Sequence, residues 1–208
     1  RQQIMTASII DFGLCNIDSI TRAVEVCGGD PEIVSKPASI KNSSHIILPG
    51  VGAFFDAVKN LKADGLIEVL TERVISAGVP FLGICLGMQL ISDYGEEGGE
   101  ASGLGWIEGR VLPMKPKNND ERIPHVGWNE VRPIIQSPLF DGIPENTDFY
   151  FVHGHHFICD NKKNVLAQTP YCGGFVSAVN QDNIYGVQFH PEKSQKWGFK
   201  LLRNFLSL

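Results

Sequence analysis

One cysteine of the sequence lies in a setting that is typical of an activated nucleophile. Cys85 is the centre of the segment Gly83–Gly87 (Gly-Ile-Cys-Leu-Gly), which follows the apolar run Pro80–Leu82 and precedes the helix-compatible Met88–Ile91. This arrangement matches the strand-to-helix turn of nucleophile elbows, with Cys in place of Ser. Such a turn strains the backbone and needs glycines beside the nucleophile, and the helix dipole favours thiolate. Taken alone, the pattern is also common around structural cysteines.

A histidine and a carboxylate follow the last predicted strand. His190 and Glu192 come directly after Gly186–Phe189 and are separated by one proline. If the strand geometry continues, both side chains point to the same side, so that the carboxylate orients the imidazole while its other nitrogen faces Cys85. A strand-end histidine beside a solvated glutamate is the alternative. Because the same chain carries a cysteine elbow, we favour a Cys–His–Glu triad.

A glycine-rich turn offers donors for the oxyanion of a tetrahedral intermediate. Pro49–Gly52 follows the apolar strand-like run that ends at Leu48. The small residues let backbone N–H groups approach an oxyanion closely, so we predict donors from Gly50, Val51 and Gly52. The N–H of Leu86, next after the nucleophile, is the second predicted donor. An ordinary strand-to-helix turn predicts the same sequence, and a phosphate loop is disfavoured because no Gly-Lys-Ser/Thr follows.

These candidate residues are expected on a parallel sheet covered by helices. The first half of the chain alternates strand-like and helix-like segments, which is the pattern of an α/β fold with helices on both faces. Asn16 is predicted to cap the first helix. The predicted strands and helices are Ala7–Ile10, a helix from Ile17 to Cys27, Glu32–Ser35, His45–Leu48, helical spacing over Ala53–Ala77, and Pro80–Cys85.

The second half is expected to be more antiparallel, because strand-like pieces follow one another there with little helix between them. We predict surface loops at Gly95–Gly103 and Pro113–Arg122 and an amphipathic helix over Ser194–Leu208. We expect residues 1–208 to form a single domain. The predicted strands are Trp106–Leu112, Trp128–Arg132, Asp148–Val152, Val165–Thr169, Phe175–Asn180 and Ile184–Phe189.

Composition excludes several function classes. The 208 residues include 18 Lys and Arg against 23 Asp and Glu, for a formal charge of -5, and no basic run could follow a phosphate backbone. Apolar runs are too short to span a bilayer, so we expect a cytoplasmic protein that binds neither nucleic acid nor membrane. Five cysteines without a Cys-x-x-Cys spacing indicate neither disulfides nor zinc. We expect Met5 to be the native start, with residues 1–4 an added or upstream segment.

The motifs, in this order and at these separations, resemble those of the class I (triad-type) glutamine amidotransferases. Within that class the chain is similar to the glutaminase subunits of imidazole glycerol phosphate synthases, and the resemblance covers nearly the whole chain. The resemblance therefore implies a flavodoxin-like fold. The segments that carry it are Asp11–Gly13 with Asn16, Leu48–Phe54, Gly83–Leu90, Pro124–Asn129, Tyr150–His153 and Gly186–Ser194.

The resemblance implies a role for each matching residue. Cys85 would attack the side-chain amide of glutamine, His190 would relay protons, and Glu192 would orient His190. Glutamine would be held by the residue Gln89 and by the backbone around Gly52, Gly154 and His155. Those implied to face a partner protein are Asn16, Pro124, Val126, Trp128, Asn129 and Lys193.

The resemblance also implies the partner and the overall reaction. The partner would be a (β/α)8-barrel cyclase in a heterodimer, which uses ammonia channelled from glutamine to make imidazole glycerol phosphate and AICAR in histidine biosynthesis. No cofactor or metal is implied. The glutaminase would be slow until the partner binds, because the strand at Gly50 and Val51 must reorient.

One segment departs from the family pattern. The chain reads His153-Gly154-His155-His156 where the family usually has His-Ser/Thr-Tyr. Three nearby histidines suggest a metal site, although a strand end explains them as well. The departure leaves open a glutaminase subunit that feeds ammonia to a surface-sugar (acetamidino sugar) amidotransferase, or a non-catalytic subunit that only binds a partner. A cysteine peptidase of related fold is a further alternative.

Overall fold

The structure, a computed structural model, describes residues 5–40 and 42–208, so the expectation for residues 1–4 lies outside the described residues. The strands are β1 (Thr6–Ile10), β2 (Asp30–Val34), β3 (His45–Leu48), β4 (Phe81–Ile84), β5 (Tyr94–Gly95), β6 (Ala101–Ser102), β7 (Gly109–Pro113), β8 (His125–Pro133), β9 (Thr147–His153), β10 (His155–Cys159), β11 (Val165–Thr169), β12 (Phe175–Gln181) and β13 (Ile184–Val187). The helices are α1 (Ile17–Val26), α2 (Phe54–Ala63), α3 (Leu66–Thr71), α4 (Leu86–Gln89) and α5 (Gln195–Leu206).

The predicted parallel sheet is confirmed. Strands β2, β1, β3, β4 and β13 lie side by side in that order, and every neighbouring pair among them is parallel. With β13 as the fifth strand, this is the flavodoxin-like order. All residues of β3, β4 and β13 are buried, as expected for strands that helices cover on both faces.

The helices divide between the two faces of this sheet. Helices α1 and α5 contact each other and bury their apolar stripes in one core cluster. Helices α2 and α3 pack into a second cluster on the opposite face. The prediction of helix over Ala53–Ala77 is therefore only partly right. The helix is interrupted at Gly65 (φ 66°), and the second part ends in one π-helical turn. Asn16 precedes α1, but its side chain makes no capping hydrogen bond.

The second half of the chain is antiparallel, as predicted. Strands β12, β11, β8 and β9 extend the same sheet beyond β13, and each successive pair is antiparallel. A separate sheet in the order β10-β7-β5-β6 was not expected from the sequence. It uses His155–Cys159 as a strand, and β5 and β6 include Gly95 and Ala101–Ser102 of the segment predicted as a loop at Gly95–Gly103. Strand β6 pairs with the nearby β5, and β5 joins the sheet by pairing in parallel with β7.

Four neighbouring parallel strands end at one edge of the sheet, and the candidate residues follow these ends. Asp11 to Leu14 follow β1, Pro49 to Gly52 follow β3, Cys85 follows β4, and His190 lies three residues after β13. Ligands in open α/β sheets bind at this carboxyl edge, so the topology alone brings the candidate residues together. Within the described ranges, no helix is both long and apolar enough to cross a membrane.

Candidate active site

Cys85 occupies a strained turn between β4 and α4. Its φ of 55° and ψ of -109° are unusual for a residue with a side chain, which is the geometry predicted for a nucleophile elbow. A Cβ on Gly83 would collide with the Gly87 carbonyl, and one on Gly87 would collide with the Leu48 carbonyl. Any residue with a side chain would therefore clash with the backbone at either position, so both must be glycine. Helix α4 is a single turn, so the dipole expected to favour thiolate is small.

His190 and Glu192 meet as predicted, but through a different backbone geometry. The strand β13 ends at Val187, so the expectation that His190 continues a strand is wrong. Instead, a 3-10 turn at Pro191–Lys193 curls the chain back. It sets the His190 Nδ1 2.7 Å from the Glu192 Oε1, and both side chains are buried, with 3% and 7% exposed.

The backbone on both sides of His190 is anchored to β9. The His190 N–H donates to the Tyr150 carbonyl at 2.9 Å, and the Tyr150 N–H donates to the Ser194 Oγ at 3.0 Å. The Ser194 hydroxyl in turn donates to the His190 carbonyl at 2.6 Å. The loop that carries the His190 imidazole is therefore held in place against β9.

Electrostatics at His190 favour a charged imidazole. Burial works to lower the pKa of His190, but its interactions with Cys85, and then with the Glu192 carboxylate, outweigh burial and raise that pKa well above its usual range. The Nε2 atom is buried and has no hydrogen-bond partner among the residues the structure describes. An imidazole with Nδ1 held by a carboxylate and Nε2 left over is suited to move a proton at Nε2.

The Cys85 sulfur lies at the buried end of the site, with 7% of the residue exposed. It is 3.8 Å from the Val152 carbonyl oxygen of β9, and the Gln188 Nε2 donates to it at 3.6 Å. Sequence reasoning missed Gln188, although its position two residues before His190 was a usable signal.

The predicted oxyanion donors are turned toward other parts of the chain. The Val51 N–H donates to the Leu14 carbonyl at 2.7 Å, and the Leu86 N–H makes a long contact of 3.4 Å with the Gly50 carbonyl. Gly52 adopts a φ of 112°, which favours glycine. The segment therefore lies beside Cys85 with the Val51 N–H engaged elsewhere.

A cavity of about 280 Å³ opens above the Cys85 sulfur. This volume lies near the lower end of small-molecule sites, which start at about 300 Å³. Its lining comprises Val51, Gly52, Cys85, Leu86, Gln89, Glu97, Pro124, Val152, His153 and Gly154.

Three of the four residues predicted to hold glutamine line this cavity, namely Gly52, Gln89 and Gly154. The side chain of His155, whose backbone was the predicted contact, directs its Nδ1 at the Glu97 Oε2, at 3.4 Å. Sequence reasoning missed Glu97, which lies in the segment predicted as a surface loop. Two larger cavities, of about 540 and 570 Å³, lie around Lys117 and Gly174, away from the sulfur.

The three histidines of His153–His156, the segment that differs from the family pattern, point in different directions. The buried His153 has both ring nitrogens in hydrogen bonds, to His125 and to the His155 carbonyl. His155 faces Glu97, whereas His156 lines the cavity of about 540 Å³. Across residues 5–40 and 42–208, no group of three potential ligands is arranged to hold a metal ion.

The residues predicted to face a partner fall into two groups. Val126 and Trp128 are 58% and 48% exposed on one face of β8, and Pro124 lines the mouth of the cavity just before that strand. Asn16 and Lys193 are also exposed. Asn129 differs, because its side chain turns to the opposite face of β8 and donates to the His125 Nε2 at 3.3 Å. Its contact with a partner stays a prediction.

Comparisons with known proteins match this arrangement over nearly the whole chain. The family model described as glutamine amidotransferase class-I matches residues 8–207. The chain is 47% identical over 199 residues to the imidazole glycerol phosphate synthase subunit HisH 2 of Methanococcus maripaludis, covering 96% of this chain and 98% of that protein. It is 40% identical over 208 residues to subunit HisH of Pelagibacter ubique, covering 98% and 100%.

Solved structures share the fold at low sequence identity. A chain from the structure of PurLQS of Thermotoga maritima superposes with a TM-score of 0.77 at 18% identity, covering 99% of both chains. A crystal structure of a glutamine amidotransferase gives a TM-score of 0.75 at 16% identity, covering 97% of this chain and 99% of the other. These likenesses show the same overall fold.

Proposed function

The chain belongs to the class-I glutamine amidotransferase family, and we propose on this premise that it hydrolyses L-glutamine to glutamate and ammonia with Cys85, His190 and Glu192 as its triad. The observation that carries this proposal is the convergence of a strained Cys85 with the His190–Glu192 pair, joined at 2.7 Å, at the carboxyl edge of the sheet. A residue that only binds a partner has no need of such a turn.

In the proposed reaction, the Cys85 sulfur attacks the side-chain carbonyl carbon of glutamine. His190 donates a proton from Nε2 to the leaving nitrogen, so that ammonia departs and a glutamyl thioester forms. His190 then accepts a proton from water as the water attacks the thioester carbon. Glutamate leaves and the sulfur is regenerated, so glutamine and water give glutamate and ammonia. Glu192 holds the tautomer and orientation of the imidazole throughout.

The cavity lining supports glutamine as the substrate. Glu97 places a carboxylate in the cavity, where it can pair with the α-ammonium group of an amino acid. Burial raises the pKa of Glu97, and the charge of His155 opposes that change. The Gln89 Nε2 already donates to the His155 carbonyl and to the Gln188 Oε1, so Gln89 can offer the substrate only its oxygen, which accepts from an amide N–H.

We further propose that hydrolysis is slow until a partner binds. Each oxyanion donor contributes about 10² to 10³ in rate, and the Val51 N–H is held by the Leu14 carbonyl at 2.7 Å. Rotation of the Gly50–Val51 peptide toward Cys85 would supply that donor. Breaking one backbone hydrogen bond to do so costs about 1 kcal/mol, which is within the reach of a binding partner.

The partner is proposed to dock on the exposed face of β8. Val126 and Trp128 form an apolar surface beside the cavity mouth at Pro124, and aromatic residues of this kind are enriched at the centres of interfaces. Relatives at 40% to 47% identity are named as subunits of imidazole glycerol phosphate synthase. We therefore propose a (β/α)8-barrel cyclase that receives the ammonia to make imidazole glycerol phosphate and AICAR. These names support the histidine pathway over the surface-sugar alternative.

Glutamate release from the full chain, alone and with the co-purified partner, tests this proposal. The expected result is slow hydrolysis alone and fast hydrolysis with the partner and its acceptor substrate. Cys85→Ala should lower the partner-activated rate by about 10⁴-fold or more. The matched control is Cys27→Ala, at the far end of α1, which should keep the wild-type rate. Wild-type activity in Cys85→Ala would contradict the mechanism, and no hydrolysis in wild type with its partner would support a non-catalytic subunit.

A further inference from the structure

Two buried histidines outside the proposed triad form a hydrogen-bonded pair. His125 opens β8 and His153 closes β9, and they face each other across the two strands. The His125 Nδ1 lies 2.9 Å from the His153 Nε2, and the His153 Nδ1 lies 2.9 Å from the His155 carbonyl oxygen. Both side chains are almost fully buried, with the residues 4% and 6% exposed.

The protons of this pair have only one consistent arrangement. A carbonyl oxygen can only accept, so the His153 Nδ1 must carry its proton, and its Nε2 then accepts from the His125 Nδ1. The His125 Nε2 is left to accept from the Asn129 Nδ2 at 3.3 Å. The Asn129 Nδ2 also donates to the Pro170 carbonyl, which fixes that amide independently. The Asn129 amide at one end and the His155 carbonyl at the other therefore both require that His125 donates to His153.

Burial keeps both rings neutral. It lowers the pKa of His125 to about 4. It also lowers the pKa of His153 to about 3, although the hydrogen bond to the His155 carbonyl opposes this change. Repulsion by His125, His156 and His190 lowers the pKa of His153 further. At neutral pH, each ring therefore holds one proton, on Nδ1.

The same carbonyl orients a second branch that ends at the nucleophile. The Gln89 Nε2 donates to the His155 carbonyl at 3.3 Å and to the Gln188 Oε1 at 3.1 Å. The Gln188 amide must then present its nitrogen to the Cys85 sulfur, at 3.6 Å. Both lone pairs of the His155 carbonyl are thus used, one by His153 and one by Gln89.

We propose that His125 and His153 are positioning residues that hold the His155 carbonyl, and through Gln89 and Gln188 the glutamine pocket and the Cys85 sulfur, in place. The glutamine part of this inference rests on the proposed function. A role in packing alone is the competing explanation, because His125 stacks on Tyr171 with ring centroids 4.1 Å apart. The two explanations differ in which atoms of the histidines matter.

Substitution of His153 separates the two explanations. His153→Asn keeps an N–H where Nδ1 lies, whereas His153→Leu keeps apolar volume and has no donor. We expect His153→Leu to raise KM for glutamine by about tenfold or more, because the His155 carbonyl loses the hydrogen bond from the His153 Nδ1 and keeps only the longer one from Gln89. We expect His153→Asn to stay within about threefold of wild type. A packing role predicts the reverse order. A partly folded variant would lower kcat and leave KM unchanged, so a change in kcat alone would count against the proposal.

Ring nitrogen NMR on the wild-type full chain tests the proposal without an activity measurement. Long-range proton–nitrogen correlations at pH 7, assigned by loss of signals in His125→Asn and His153→Asn, should show both rings neutral and protonated on Nδ1. An Nε2-protonated or charged ring at either position would overturn the proposed positioning role of His125 and His153. If wild type fails to hydrolyse glutamine while both rings are Nδ1-protonated, the proposed function fails and the hydrogen-bonded arrangement of the histidines stands. If wild type hydrolyses glutamine while either ring has another protonation state, the proposed function stands and the positioning role fails.

Discussion

The two sides of the proposed active site differ in how far they are prepared for catalysis. On the side of β4 and β13, His190 is already joined to Glu192 at 2.7 Å and stands on a loop anchored to β9. On the side of β3, the Val51 N–H points to the Leu14 carbonyl. The groups proposed to make and break bonds are thus assembled, while a group proposed to stabilise the oxyanion is engaged elsewhere.

The difference suits two tasks: the side of β4 and β13 would carry out the reaction, and the side of β3 would control its rate. A fixed nucleophile and base need a rigid setting, which the crowded glycines of the elbow and the buried Glu192 supply. A backbone N–H can be withheld or offered by rotating one peptide, with little change in packing. Because one oxyanion donor is worth about 10² to 10³ in rate, rotation of one peptide on the β3 side would be enough to produce the proposed activation by a partner.

Among substitutions that leave the nucleophile in place, the largest effect is expected on the assembled side, from Glu192→Gln. Loss of the carboxylate leaves the His190 tautomer unfixed, so partner-activated kcat/KM should fall by about 10³-fold or more. Glu192 also helps to raise the pKa of His190, so the alkaline limb of the kcat/KM profile should move to lower pH in this variant. The measurement is glutamate release across pH.

The control for this change is Glu25→Gln, on the exposed face of α1, which should reproduce the wild-type rate and profile. An alkaline limb that stays in place in Glu192→Gln would show that another group carries the proton, and the triad assignment would have to be abandoned.

A smaller effect is expected on the withheld side, from Val51→Pro. Proline has no N–H, so the variant can neither bind the Leu14 carbonyl nor donate to an oxyanion. Partner-activated kcat should fall by about 10²-fold, with KM for glutamine less affected. Val51→Ala keeps the N–H and serves as the matched control. Equal kcat values for the two variants would remove Val51 from the proposed oxyanion hole.

The smallest effect is expected at a distance from both sides, from Trp128→Ala. Truncation of this exposed aromatic should raise the partner concentration for half-maximal glutaminase activation by about tenfold, because it removes buried contact area from the proposed interface. Ile134→Ala, at an equally exposed apolar residue beyond the end of β8, should leave that concentration unchanged. Identical titrations for the two variants would place the partner elsewhere.

The elbow and the parallel sheet could be read from the sequence because their signals are local. A short apolar strand, two glycines and a cysteine specify the turn at Cys85 within a few residues. Pairing of His190 with Glu192 was also predicted, although a 3-10 turn and not a strand produces it. The spacing of two residues permits either geometry, so the sequence could identify the pair without its backbone.

The residues that sequence reasoning missed depend on contacts between distant segments. Glu97 lies in a glycine-rich stretch that resembles a solvated loop, and it reaches the cavity only because β5 and β6 join the second sheet. The His155 side chain faces Glu97, while its carbonyl accepts hydrogen bonds from His153 and Gln89. Backbone atoms of this kind carry no sequence signal.

Labelling with an electrophilic glutamine analogue, followed by peptide mapping, tests most directly the claim that Cys85 is the nucleophile. Burial raises the pKa of the other thiols, to about 11 at Cys15 and Cys172, about 12 at Cys159, and upward at Cys27, so these should react poorly. We predict modification at Cys85 alone, faster with the partner bound and prevented by excess glutamine. Modification at another cysteine, or none at Cys85 with the partner bound, would contradict the account.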